Sequence, residues 1–374
     1  LSPARKVDPD TTLFRIGSIS KTFTWIALMR EVEAGRIRID GPVNLYLPET
    51  LQVRDQGFRA PVRVINLMDH SAGFEDRALG QLIERDLRRE RPMVEYLRQE
   101  RPQRVHAPGA MASYSNYGAA LAGEAVAYVT GKPYEQLIEE EIFAPLGLRH
   151  TTFREVRAAG KDLAAPMPAY MARDVSQGFR WTDAGFKARP YELLGHIAPA
   201  GAASSTAADM ARYMAALLND GALDGATLFG PRAAKAFRTP PPWVDYLMAD
   251  DYGDQFPAFP REHGAPGGLP MVNFPEISMY QMGPWGGYGA NPLPAHLQRI
   301  WDSSRHLLSG GFPYSEGIFE DINKALCAQF CWHDAADARA IVREYAAGEF
   351  SPAVADDVVR SVAILEANHA RGWY

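Results

Sequence analysis

Chemistry in this chain starts from two residues, Ser18 and Lys21. They stand in the stretch Phe14-Arg15-Ile16-Gly17-Ser18-Ile19-Ser20-Lys21-Thr22-Phe23. Gly17-Ser18 reads as a small-residue turn. An apolar run from Phe23 to Met29 follows at helical spacing, and Gly35 reads as its stop. Ser18 is therefore expected at or beside a helix N-terminus, with Lys21 three residues on and on the same face. A hydroxyl and an amine on one face, next to free backbone N–H groups, are the parts of an acyl-transfer site. Ser18 would attack a carbonyl. Lys21, with its basicity lowered by burial and by the positive helix end, would take the proton. The helix start would favour the negative charge developing on the substrate oxygen. By itself Ser-x-x-Lys also describes an ordinary solvated helix start, so its neighbours decide its weight.

Those neighbours carry a resemblance. Ser18-Ile19-Ser20-Lys21 is similar to the first motif of the penicillin-binding serine hydrolases: class C β-lactamases, DD-peptidases, D-aminopeptidases and β-lactamase-like carboxylesterases. The likeness runs on through Glu31 to Ile37, Asp40 to Val43, Tyr46 to Glu49 and Ile65 to Phe74, and spans roughly residues 10 to 238. Tyr114-Ser115-Asn116 resembles the family's Tyr-x-Asn motif. Its residue types suit the chemistry. A phenol near Lys21 can lose its proton, activate Ser18 and pass the proton to the leaving group. The Asn116 amide can grip the substrate's carbonyl side or orient Lys21. His70, in His70-Ser71-Ala72-Gly73, resembles part of a loop under the family's active site. It reads either as a support for that site or as a turn histidine bonded to backbone. The family's third motif, Lys-Thr-Gly or His-x-Gly on a strand, has one counterpart here, His263-Gly264-Ala265. His263 would bind a carboxylate or orient Tyr114, and Gly264 would let a backbone N–H approach the substrate. The stretch Leu269-Pro270-Met271 opposes a strand there.

The elements that must position these residues follow from the pattern. The resemblance implies a mixed α and β fold of the β-lactamase/transpeptidase type. Set against that resemblance, the fold is expected to be incomplete at its N-terminal and C-terminal strands. Family members carry a helix and two strands ahead of the first motif, so a chain starting this close to Ser18 reads as processed, truncated or recombined. After the helix to Glu33 comes a loop-rich stretch over 36–60. A helix begins near Val62, and an amphipathic helix pair is expected over 77–104. Residues 119–125 read as a small-residue helix suited to close packing. Residues 155–195 form an irregular insert in which Tyr170, Phe179 and Trp181 either line an acyl pocket or pack locally. Thr206 reads as an N-cap with Asp209 at N3, heading a helix to Leu218.

Near Thr239-Pro240-Pro241-Pro242 the composition changes, and the chain divides into 1–239 and 240–374. Five of the seven tryptophans follow this point. Residues 256–374 weakly resemble the C-terminal part of bacterial glycoside-hydrolase-like proteins. Glu276 and Glu316 with Trp285, Tyr288 and Trp301 would be the carboxylates and stacking rings of a sugar site. Two amphipathic helices are expected after Phe319, the second with Pro352 at N1 behind a Ser351 cap.

The 374 residues are 47% hydrophobic and 22% charged with a net charge of −6. That is the composition of a globular protein. No basic run points to nucleic acid, and no apolar stretch is long enough to span a membrane. Cys327 and Cys331 lack a second Cys or His pair at ligand spacing and read as buried thiols. No cofactor or metal is called for. No signal peptide is visible, and the family resemblance implies a periplasmic or secreted setting. The sequence leaves oligomeric state open.

The expected activity is hydrolysis through a Ser18 acyl-enzyme, with short-chain esters first and β-lactams or D-amino-acid peptides next. The competing expectation is a weak or inactive carbohydrate-binding or fusion protein in which the hydrolase region is a remnant.

Overall fold

The computed structural model describes residues 6–75, 82–238, 246–251, 256–265, 268–275, 291–313, 321–333 and 335–368. The chain forms two compact units, Leu1–Arg238 and Thr239–Tyr374.

In the first unit β1 (Phe14–Arg15) leads through a one-turn 3-10 helix, Gly17–Ile19, into α1 (Ser20–Glu33). Gly17 takes φ +52, which places Ser18 at the head of the helix. The helix closes as its sequence dictates, with Gly35 at φ +73 just beyond. Helix α1 is buried on nearly every side. Phe23, Ile26, Leu28 and Met29 are in the core, and so are the polar Ser20, Lys21 and Thr24. A helix this apolar must be enclosed by other elements. Those elements come in chain order as α2 (Val64–Met68), α3 (Met93–Gln99), α4 (Asn116–Thr130), α5 (Tyr134–Ile138), α6 (Ala144–Leu146), α7 (Ala169–Ala172), the hairpin β2 (Phe179–Thr182) and β3 (Gly185–Ala188), α8 (Ala198–Gly201), β4 (Ser204–Ser205), α9 (Ala207–Leu218), the short pair β5 (Ala222–Leu223) and β6 (Ala226–Thr227), and α10 (Pro231–Arg238).

Helices α4, α8 and α10 pack on α1. Around Phe23 the packing is aromatic. The Phe143 ring stands edge-on at 5.1 Å and the Tyr213 ring lies at 4.3 Å. Strands β1 and β4 pair antiparallel, Phe14 with Ser205 and Arg15 with Ser204. The hydroxyl of Ser20 accepts the Ala203 N–H at 3.1 Å, and the Ile16 N–H donates to the Ala203 carbonyl at 3.0 Å. The segment that ends α8 is thereby stitched to the turn that carries Ser18.

Helix α4 approaches α8 closely because of its small residues. A Cβ on Gly123 would stand 2.3 Å from Pro199 Cγ and 3.1 Å from Tyr134 Cε2. The Thr206 hydroxyl caps α9 by accepting the Asp209 N–H, as its sequence predicts. Other expectations change. Over 82–104 there is a single short helix, α3, preceded by a 3-10 turn at Leu87–Arg89, instead of a helix pair. The insert contains the β2–β3 hairpin, on which Trp181 is 68% exposed. Trp181 packs edge-on against Phe186 across the strands.

The second unit has strands where the sequence suggested none. β7 (Leu247–Asp251), β8 (Met271–Pro275) and β9 (Gly310–Gly311) form a parallel sheet in the order β7-β8-β9. Pro270 falls just before β8 and Pro275 ends it, so neither interrupts the ladder. Helix α11 (Ala258–His263) lies between β7 and β8 in the chain, and α12 (Pro294–Ser304) between β8 and β9. Three helices follow instead of two: α13 (Asp321–Trp332), α14 (Ala338–Glu349) and α15 (Ala355–Asn368). Ser351 bonds the Ala353 N–H in the turn before α15, so the helix starts after the expected Pro352. Leu326, Phe330, Val342 and Trp301 form the core of this unit. On α13 Cys327 is buried and Cys331 half-buried, and neither is part of a disulfide.

Candidate active site

Two helix starts meet at this site. Ser18 heads α1. Tyr114 precedes the N-cap of α4, where Ser115 has extended backbone and its hydroxyl accepts the Gly118 N–H at 3.0 Å. The contact between α1 and α4 brings the two starts side by side. Ser18 Oγ and Tyr114 Oη are 2.6 Å apart. Lys21 Nζ lies 3.2 Å from Ser18 Oγ, 2.8 Å from Asn116 Oδ1 and 2.6 Å from the Ala200 carbonyl oxygen. The same nitrogen stands 4.7 Å from the centre of the Tyr114 ring.

The burial is graded. Lys21 is 4% exposed, whereas Tyr114 is 45% exposed and Ser18 faces solvent. A buried cation is tolerable only when its donors are satisfied. Here a carbonyl, an amide oxygen and a hydroxyl surround the amine. The arrangement fixes a positive charge under a phenol and a hydroxyl that open to solvent.

His70 lies beside this group. Its imidazole is 4.6 Å from the Tyr114 ring, and its Nδ1 is 3.2 Å from the Ser115 backbone nitrogen. Burial, and then the Lys21 charge, push its pKa below the usual histidine value, against a smaller upward pull from Asp69.

Four of the six residues singled out in the sequence, Ser18, Lys21, Tyr114 and Asn116, are therefore brought together. Of the two functions open to Asn116, its amide oxygen is directed at Lys21. His263 and Gly264 have a different setting from the strand expected of them. His263 is the last residue of α11, with its ring stacked on Phe259 at 4.6 Å. The Gly264 N–H donates to the Pro260 carbonyl at 2.9 Å and closes that helix, so it is already engaged. The turn at Gly264, with φ +77, is a helix C-terminus. Of the proposed sugar-site residues, Glu276, Trp285, Tyr288 and Glu316 lie outside the described residues. Trp301 is 6% exposed and stacks on Phe330 at 5.7 Å, so it is a core residue instead of a platform for a sugar ring.

Sequence reasoning missed the Ala200 carbonyl. A backbone acceptor leaves no side-chain signature. The nearest signal was the small-residue run from Ala198 to Ala203. Among the described residues, no group of three or more His, Cys, Asp or Glu side chains is arranged to hold a metal ion. Among them, no helix is long and apolar enough to cross a membrane.

Comparison with known proteins defines the class. Residues 1–292 match the Beta-lactamase family. The chain belongs to that family, and its fold is the mixed α and β, β-lactamase/transpeptidase-like fold. The match reaches past residue 238, where the resemblance read from the sequence stopped, and includes the first part of the second unit.

Among relatives, the D-alanyl-D-alanine-carboxypeptidase/endopeptidase AmpH of Escherichia coli (strain K12) is 31% identical over 158 residues, 40% of each chain. A β-lactamase of Pseudomonas fluorescens is 32% identical over 142 residues, 38% of this chain and 37% of that protein. The match thus spans about 40% of the length of each of these two relatives. The solved β-lactamase/D-alanine carboxypeptidase from Yersinia pestis, complexed with citrate, has a TM-score of 0.47 at 24% identity. It covers 64% of this chain and 61% of that one.

Proposed function

We propose that this chain is a serine hydrolase working through an acyl-enzyme on Ser18. The observation that carries the reading is the 2.6 Å contact between Ser18 Oγ and Tyr114 Oη with Lys21 Nζ 3.2 Å from the same hydroxyl. In the first step Ser18 Oγ bonds to the substrate carbonyl carbon, and its proton passes to Tyr114. Lys21, with its amine 3.2 Å from Ser18 Oγ and 4.7 Å from the centre of the Tyr114 ring, offsets with its charge the negative charge on the oxygens that exchange this proton. The bond from the carbonyl carbon to the leaving nitrogen or oxygen then breaks, and Tyr114 returns the proton to that atom. Water attacks the acyl-enzyme through the same proton acceptor and releases the acid, restoring the Ser18 hydroxyl. The start of α1 disfavours no stage of this sequence, because negative charge near a helix N-terminus is stabilised.

The acyl donors we assign first are β-lactams and D-alanyl peptides. The two relatives quoted above are named for those activities and exceed 30% identity over the stretch they share with this chain. Short-chain esters follow as simpler acyl donors that need less of the pocket. The remnant reading has less support. A remnant has no reason to keep a buried lysine bonded to the Ser18 hydroxyl, the Asn116 amide oxygen and the Ala200 carbonyl, because a buried amine that serves nothing is costly.

Ser18→Ala tests the reading. Hydrolysis of a chromogenic cephalosporin and of a p-nitrophenyl ester should both fall by about 10⁴ or more. Turnover that survives in the variant would remove Ser18 from the mechanism.

A further inference from the structure

Tyr114 is exposed, lies in a loop and carries no regular structure of its own. Something must nevertheless hold its hydroxyl against Ser18. His70 touches both of its chain neighbours. The Ser113 N–H donates to the His70 carbonyl at 2.8 Å, and the Ser115 N–H donates to His70 Nδ1 at 3.2 Å. Between those two bonds the imidazole lies against the Tyr114 ring, with 4.6 Å between centres and 39° between planes. The imidazole also meets Trp25 of α1, edge-on at 6.3 Å. His70 is thus wedged between the helix that carries Lys21 and the loop that carries Tyr114.

The wedge is itself held in place. His70 has φ +58, a conformation uncommon for a residue with a Cβ and one that marks an over-determined position. Asp69 Oδ1 accepts from both the Ser71 N–H and the Ser71 hydroxyl, and Asn66 Nδ2 donates to Ser71 Oγ at 2.9 Å. Asn66 Oδ1 in turn accepts the Arg63 N–H at the start of α2. Gly73 then passes so close to the backbone of His106 that a Cβ would stand 2.2 Å from its carbonyl oxygen. The loop from Asp69 to Gly73 is fixed from both ends.

We propose that His70 is the positioning residue that sets Tyr114 against Ser18, acting through an unprotonated Nδ1 that accepts the Ser115 N–H. The inference rests on the reading of Tyr114 as the proton acceptor for Ser18. Because Nδ1 must accept, the neutral imidazole carries its proton on Nε2. Protonation would place a hydrogen on Nδ1 and break the bond to Ser115. The groups that bear on this equilibrium are Lys21 on α1, Asp69 in the same loop and the Tyr114 phenol in contact. Burial and Lys21 keep the ring neutral to lower pH than an ordinary histidine, with Asp69 opposing them. The clamp therefore stays closed through neutral pH and opens on the acid side.

Two variants separate positioning from mere loop structure. His70→Asn puts an amide oxygen where Nδ1 stands and tolerates φ above zero. His70→Gly keeps the backbone and removes the acceptor. With a fluorescent penicillin and the full chain, the Gly variant should acylate about ten- to hundredfold more slowly at unchanged KM. The Asn variant should recover most of that loss and should lack the wild-type rate decline on the acid side. Nitrogen-15 spectra of the wild-type imidazole should show a proton on Nε2 and none on Nδ1 from pH 6 to 8.

Equal acylation rates in all three proteins, an Asn variant as slow as the Gly variant, or a proton on Nδ1 would each overturn the proposal. If the Gly variant does not fold, the Asn variant's acid side and the spectra decide. If the wild type forms no adduct at all, the proposed function fails, and the imidazole spectra still test the clamp.

Discussion

Lys21 Nζ donates to the carbonyl oxygen of Ala200 at 2.6 Å, the shortest of its three bonds to named partners. The amine beside Ser18 is thus anchored on the backbone of α8, and α8 is placed by packing. The Thr24 hydroxyl bonds the Pro199 carbonyl at 2.9 Å and meets the Tyr134 hydroxyl at 2.7 Å. Gly123 of α4 lies against the Pro199 ring. Core packing and the geometry of the proposed catalytic group are here the same set of contacts.

The first prediction follows from that packing. Gly123→Ala gains up to about 1 kcal/mol of helix propensity. Its new Cβ meets the Pro199 ring, which has no flexible end to swing away, and overpacking of this kind costs about 1–3 kcal/mol. We expect a lower Tm together with slower acylation, because α8 moves and takes the Ala200 carbonyl with it. Gly123→Val should worsen both. A variant with wild-type Tm and wild-type acylation would break the link between this contact and the site.

Lys21 itself gives the second. Lys21→Arg keeps the charge, but the guanidinium cannot fit a 4% exposed slot built around one nitrogen. Lys21→Met fills the volume and removes the charge. Both should lose acylation of Ser18 by about 10³ or more, on the scale of removing a member of a catalytic group. Circular dichroism should show both folded. Substantial acylation in the Arg variant would mean that charge alone, without the three-acceptor geometry, serves Ser18.

The third concerns stability against pH. Glu124 on α4 is 8% exposed, and burial, with a smaller contribution from Glu135, pushes its carboxyl up from 4.5 to about 7. The folded chain therefore binds a proton that the unfolded chain has released. Stability from this group is fully present below about pH 4.5 and is lost as pH rises through about 7. The contribution is of the order of 1–3 kcal/mol. Chemical denaturation at pH 5.5 and pH 8 should show the fall, and Glu124→Gln should reduce it by raising stability at pH 8. An identical pH dependence in wild type and Glu124→Gln would contradict the assignment.

The sequence made the local parts of this site legible and its supports much less so. Ser18, Lys21, Tyr114 and Asn116 lie in short motifs whose residue types state their chemistry. Helix α1 announces itself by the largely apolar run from Phe23 to Met29, and α9 by the Thr206 and Asp209 cap. Ala200 was not legible because it contributes only a carbonyl, and His70 only in part because its clamp acts on backbone N–H groups of Ser113 and Ser115.

The second unit misled for other reasons. Its strands are short and parallel, with Pro270 and Pro275 at the limits of β8 and two glycines forming β9, so alternation was hard to see. Aromatic residues were equally ambiguous, since Trp301 and a sugar-stacking tryptophan look alike until burial is known. His263-Gly264 matched a motif by residue type, but it closes a helix.

The proposed mechanism stands or falls on Ser18 being the residue that becomes acylated. The most direct measurement is mass spectrometry of the full chain after brief exposure to benzylpenicillin, followed by peptide mapping. Acylation of Ser18 should leave one added mass equal to intact benzylpenicillin, located on the peptide containing Ser18 and absent in Ser18→Ala. An adduct on any other residue, or one that persists in Ser18→Ala, would contradict it.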